Sequence, residues 1–145
     1  MIRLNALTDY AVVILAQMTR DPAKLVTATQ LAEETGIPLP TTQKLVSLLS
    51  RGGLLKSVRG AGGGIQLARP AAAISLADII EAVEGPIAMT ACVEHGKQDC
   101  ALEASCQVKP HWAIVNSVIR DALSDVSLAT LANPEPVSAI ESATA

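Results

Sequence analysis

Three thiols are the residues of this chain best suited to do chemistry. They stand as Cys92-x7-Cys100-x5-Cys106, close enough for one loop to fold them around a single metal centre. Soft thiolates select zinc, copper(I) or iron–sulfur clusters. The spacing is neither a CxxC zinc knuckle nor a ferredoxin run. Cysteines are often buried as small hydrophobes, but Glu94, His95, Lys97, Gln98 and Asp99 beside these make a poor core, which favours ligation. Three thiolates leave room for another donor, and His95 and His111 are the near candidates. An odd cysteine count speaks against a secreted disulfide framework. A Cys–His nucleophile, Cys106 or Cys92 with His111 or His95, is the enzyme alternative. No oxyanion donors or substrate pocket accompany it, so the expectation is no enzyme and no small-molecule substrate.

A second constellation suits nucleic acid. Thr41, Thr42, Gln43 and Lys44 follow the rigid connector Ile37-Pro-Leu-Pro40 at the start of a helix running to about Arg51. Pro40 is tolerated at a first helical position, whose N–H has no intrahelical partner. Side chains at the N-terminal end of such a helix can reach base edges in a major groove; Gln pairs with adenine, and Lys with guanine or phosphate. Lys56 and Arg59 flank the glycine-rich segment Arg59-Gly-Ala-Gly-Gly-Gly64, where Arg59 would meet a minor groove. The same glycines lack the Lys-Ser/Thr of a nucleotide-binding loop and lead into a strand rather than a helix. Net charge is −3 overall, but the two halves differ. Residues 1–69 hold eight Lys and Arg against four Asp and Glu, and residues 70–145 three against ten. Only the first half suits phosphate.

The elements that must carry these residues follow from pattern. Apolar residues Tyr10, Val13, Ile14 and Met18 recur at helical spacing between Thr8 and Arg20. Thr27-Ala-Thr-Gln30 is a capping-box pattern opening a second helix that stops at Gly36. The third helix carries Leu45, Leu48 and Leu49 on one face and ends at Gly52-Gly53. Leu54–Val58 and Ile65–Leu67 alternate as half-buried strands. Ser75 caps a fourth helix with Ile79, Ile80 and Val83, broken by Gly85-Pro86. From about Pro110 to Leu123 an apolar stripe of Trp112, Val115, Ile119 and Ala122 exceeds what one small domain covers, and reads as a dimer helix. Ser127–Leu131 adds a further helical turn, and Asn133 onward reads as a tail.

Fold class is therefore mainly α with a small β-hairpin, a winged helix-turn-helix with a long C-terminal dimerisation helix. Residues 1–85 form the DNA-binding domain, 86–109 the cysteine loop, 110–132 the dimerisation region and 133–145 a disordered tail. The core must be aliphatic, because Phe is absent and Tyr10 and Trp112 are the only aromatics. No charge-free membrane span is present, so the cytoplasm is the expected compartment. The rival to a DNA-binding sensor is a zinc-bound or metal-free winged module that binds protein.

These residues resemble the IscR/NsrR/SufR group of iron–sulfur cluster regulators, bacterial winged-helix repressors and activators. The likeness runs from Met1 to about Pro134. It is carried by Met1-Ile-Arg-Leu4, Thr8-Asp-Tyr-Ala11, the wing Ser57-Val-Arg-Gly-Ala-Gly-Gly-Gly64 and the three cysteines after Gly85. Ala91–Cys100 looks most like the subgroup regulating the SUF cluster-assembly operon. The resemblance implies a homodimer crossing its long C-terminal helices on a near-palindromic operator, with a 2Fe-2S or 4Fe-4S cluster on Cys92, Cys100 and Cys106. It places Gln43 at a base-reading position and Arg59 at the minor groove. Lys109 stands where IscR-like members carry a histidine ligand, whereas Asp9 falls where NsrR-like members supply an aspartate from the partner subunit. A helix N-terminus alone also accounts for Asp9. Pro38 and Pro40 stand where the family often has serine, which implies that phosphate contacts there are lost.

Overall fold

The computed structural model describes residues 2–93, 100–102 and 104–135. Six α-helices, a two-stranded antiparallel sheet and two short 3₁₀ turns make up the described residues. None of their helices is long and apolar enough to cross a membrane.

Helix α1 spans Ala6–Met18 and starts two residues before Thr8, because Asn5 is its cap and accepts from the Leu7 N–H at 3.1 Å. Thr8 is a core residue, and its hydroxyl donates to Glu84 Oε1. Tyr10 and Val13 are exposed, so the buried face is Thr8, Ala11, Ile14, Leu15 and Met18. Helix α2, Ala28–Thr35, carries the expected capping box: Gln30 N–H donates to Thr27 Oγ1 at 3.2 Å and Thr27 N–H to Gln30 Oε1 at 2.9 Å. Gly36 at φ +77° ends it, a conformation glycine adopts without a Cβ penalty. Helix α3 runs Leu39–Arg51.

After α3, β1 (Leu55–Val58) and β2 (Gly64–Leu67) pair antiparallel with Lys56 opposite Gln66. A bridge adds Val26 to β2, with Val26 N–H donating to Ile65 O at 3.0 Å and Ile65 N–H to Val26 O at 2.7 Å. Helix α4, Leu76–Glu84, opens on a second capping box, Ser75 with Asp78. Helix α5 spans Lys109–Ser124 and α6 spans Leu128–Leu131.

The core is aliphatic, as the absence of Phe requires. Ile14, Leu15, Leu31, Leu45, Leu49, Leu54, Ile74 and Ile79 are fully buried. Leu128 of α6 joins them at 0% exposure. Within residues 110–132, α6 therefore returns to the winged core. Ser75 and Ser127 form a bridge there, with Leu76 N–H donating to Val126 O at 2.8 Å and Leu128 N–H to Ile74 O at 2.7 Å.

Helix α5 has no buried residue. Its stripe is rotated from the sequence expectation. Ile119 and Leu123 line a groove with Ile2, Leu4 and Ile80, whereas Ile114, Val115, Val118 and Ala122 form an exposed ridge at i, i+3 and i+4 spacing. Ile114 and Val118 are each 62% exposed. The tail beyond Glu135 lies outside the described residues.

Candidate nucleic-acid interface and thiol loop

Helix α3 presents Pro40, Gln43, Lys44 and Ser47 to solvent, while Leu45 and Leu49 on its other face are fully buried. Thr41 is half-buried beside them. Thr42, expected on the DNA-facing side, is fully buried. Its hydroxyl points back to the Ile37 and Pro38 carbonyls at 3.3 and 3.2 Å. Thr42 thus anchors the turn before α3 and does not face a groove, which corrects the sequence assignment. The i, i+3, i+4 row that reaches outward is 40, 43, 44 and 47, which leaves 42 on the inward face.

The wing follows α3 through Gly52 and Gly53. A Cβ on Gly52 would sit 2.6 Å from Ala82 Cβ, so α3 and α4 approach there closely enough to require glycine. At the hairpin tip, a Cβ on Gly63 would lie 2.2 Å from the Val58 carbonyl; the turn closes through Gly63 N–H to Gly60 O at 2.9 Å. Lys56 and Arg59 are exposed. Among the described residues neither they nor Lys44 enters an ion pair. Residues 37–69 hold five Lys and Arg and no Asp or Glu. Cations left unneutralised on a helix and a neighbouring hairpin favour a polyanion.

The thiol loop begins at Gly85 and ends at α5. Cys92 sits in the 3₁₀ turn Ala91–Val93, half-buried, with its Sγ 3.1 Å from the Thr90 hydroxyl. It lines a cleft with Lys109, Asn116, Ser117 and Arg120. Cys100 and Cys106 are also half-buried, and none of the three is in a disulfide. Among the described residues no three His, Cys, Asp or Glu side chains are gathered into a metal-holding group. Asp9 is exposed on the first turn of α1, and His111 is exposed on the first turn of α5. His95 lies outside the described residues.

Asn116 and Arg120 both help tie α5 to the rest, and neither contact is signalled in the sequence. Asn116 Oδ1 accepts from Met89 N–H at 2.9 Å, and its Nδ2 donates to Ile87 O at 3.0 Å. Arg120 grips Glu81 of α4 through Nε at 2.8 Å and Nη2 at 3.3 Å. That hydrogen bond and the carboxylate charge raise the Arg120 guanidinium further above its ordinary range. Side chains bonding to distant backbone leave no periodic trace in a sequence.

Residues 4–134 match the profile of the Rrf2 family, described as iron-dependent transcriptional regulators. The chain belongs to the Rrf2 family. As an Rrf2 protein it is a DNA-binding transcription regulator and not an enzyme. It is 35% identical over 122 residues to protein aau3 of Rhizobium meliloti, covering 84% of this chain and 75% of that protein. It is 37% identical over 101 residues to the HTH-type transcriptional regulator IscR of Vibrio cholerae, covering 70% of this chain but only 57% of that regulator. Among solved structures, CymR, the global cysteine regulator of B. subtilis, superposes with TM-score 0.67 at 25% identity, covering 91% of this chain and 97% of that one. IscR of T. potens gives TM-score 0.62 at 28% identity, covering 88% and 84%. The winged-helix expectation is met by this Rrf2 fold.

Proposed function

We propose that this Rrf2 protein is a cytoplasmic homodimer that reads operator DNA with α3 and the wing, and that an iron–sulfur cluster on Cys92, Cys100 and Cys106 sets its affinity. The observation that carries this reading is where the three cysteines fall. They occupy the loop that α4 opens and α5 closes, and α4 packs on both α3 and α5. A ligand of that loop therefore acts one helix away from the recognition helix. The family's description as iron-dependent and the resemblance to IscR-type regulators support iron as the metal.

The donor set fits such a cluster in kind: three soft thiols, none in a disulfide, half-exposed in one irregular segment. Asp9 of the partner subunit is the fourth ligand we propose, since Lys109 is a poor donor while protonated. When bound, the cluster supplies redox and nitric-oxide lability, which suits control of SUF-type cluster-assembly genes. The chain's own part is to hold the loop against α5, to present Gln43, Lys44 and Thr41 to the major groove, and to lay Arg59 and Lys56 on the adjacent backbone. The exposed ridge on α5 is the surface for the second copy.

The DNA half is tested with the duplex that the wild-type chain selects from a random library. Gln43→Ala is expected to weaken binding by about 1–3 kcal/mol and to relax the base preference at one position. Arg59→Ala is expected to weaken binding while leaving the dimer intact. Unchanged binding in both variants overturns the assigned helix and wing.

A further inference from the structure

We propose that Asn116 is the positioning residue that couples the thiol loop to α5, by clasping the backbone of Ile87 and Met89 and so setting Cys92 against the helix. The inference rests on the reading of the thiol loop as the ligand-binding element and names the residue through which that loop acts.

The carboxamide makes two bonds of opposite sense to one stretch of chain. Its Oδ1 accepts from Met89 N–H at 2.9 Å and its Nδ2 donates to Ile87 O at 3.0 Å. Only Asn has this donor and acceptor at this length; Asp lacks the donor, and an aliphatic residue lacks both. The clasped segment leads directly to the thiol. Thr90 follows Met89, and its hydroxyl lies 3.1 Å from Cys92 Sγ.

Asn116 also stands where two clefts meet. Cys92, Ser117 and Arg120 line one with it, and Glu81, Ile87, Val93 and Arg120 line the other with it. One turn further along α5, Arg120 holds Glu81 of α4 in a two-pronged pair. Helix α4 in turn meets α3 so closely at Ala82 that Gly52 admits no Cβ. Loop, α5 and α4 are thus joined by hydrogen bonds and α4 meets α3 by close packing, and the first of these contacts is the Asn116 clasp. Coupling is a free-energy difference between states, and it is read by measuring each state with and without the clasp.

The full chain is prepared as wild type, Asn116→Ala and Asn116→Asp. In metal-free protein, Asn116→Ala is expected to speed amide exchange at Met89 and iodoacetamide alkylation of Cys92 by about five- to tenfold, the scale of one lost hydrogen bond. Asn116→Asp keeps the acceptor and is expected to retain more of the Met89 protection. Cys106 alkylation and the metal-free affinity for the selected duplex stay at wild-type values. In protein loaded with iron and sulfide, the ratio of loaded to metal-free DNA affinity is expected to move toward one in Asn116→Ala. Wild-type exchange and alkylation rates in Asn116→Ala, or a wild-type affinity ratio in Asn116→Ala when both chains load iron, overturn the inference. A wild type that takes up no iron overturns the cluster reading instead, and the exchange and alkylation rates still decide the clasp.

Discussion

Placing glutamate at Ile114 and Val118 together is expected to turn the proposed dimer into single chains and to cut affinity for the selected duplex by about 10²–10⁴-fold. Ile114, Val115, Val118 and Ala122 form one exposed ridge on a helix with no buried residue. An apolar row of this kind is stable in water when another surface covers it. Two carboxylates at its centre would have to be desolvated without partners, which costs several kcal/mol each. A paired regulator gains its affinity because binding one half-site makes the second contact intramolecular, a gain on the order of 10²–10⁴. Light scattering checks the mass, and a binding titration checks the affinity. A double variant that stays dimeric would show that the two copies meet elsewhere.

The second large effect concerns stability. Leu128→Ala is expected to destabilise the fold by about 2–5 kcal/mol, the range for deleting a fully buried leucine side chain. Leu128 has 0% exposure and sits in the same cluster as Ile14, Leu15, Ile74 and Ile79. The cost is large because α6 has only four residues, so this side chain and the bridge between Ser75 and Ser127 fix it in place. For a chain of this size the thermal midpoint should fall by roughly 10 °C. Thermal unfolding followed by circular dichroism measures it. A loss under about 1 kcal/mol would mean that α6 is only loosely attached, as a purely C-terminal dimer element would be.

Local signals made much of this fold legible from sequence. Thr27 with Gln30 and Ser75 with Asp78 announce helix starts because each capping contact spans three residues. Gly36 marks the end of α2 for an equally local reason, and the run Arg59–Gly64 marks the hairpin tip. Features set by the tertiary arrangement were not legible. Thr42 reads as a polar surface residue, yet its hydroxyl is satisfied by carbonyls four and five residues back, which lets it be buried. Ile119 and Ile114 are equivalent in composition, and only the position of α4 and the Ile2–Leu4 segment decides which faces inward. Leu128 belongs to the core because the chain folds back after α5, which no periodicity over four residues reveals. The three thiols stand out by residue type and spacing, whereas the bond from Asn116 to Met89, 27 residues away, has no local signal.

These contacts also bound what the DNA surface can do. Pro40 provides no N–H at the start of α3, so that end offers one fewer backbone donor to phosphate. In the proposed reading, recognition then falls on Gln43, Lys44 and Thr41, with charge supplied along the wing by Lys56 and Arg59. Because the cationic stretch and the acid-rich C-terminal half lie on one chain, the charge pattern favours a polyanion on the α3 and wing side.

The most direct test of the account is purification without oxygen, with iron, acid-labile sulfide and the visible spectrum measured alongside affinity for the selected duplex. The expected result is a coloured protein with iron and sulfide in stoichiometric amounts, colour lost on replacing Cys92, Cys100 or Cys106 with Ala, and an affinity differing by about 5–150-fold between loaded and cluster-free forms. A colourless protein, with zinc or with no metal, that grips the same duplex equally well whatever its preparation would contradict it.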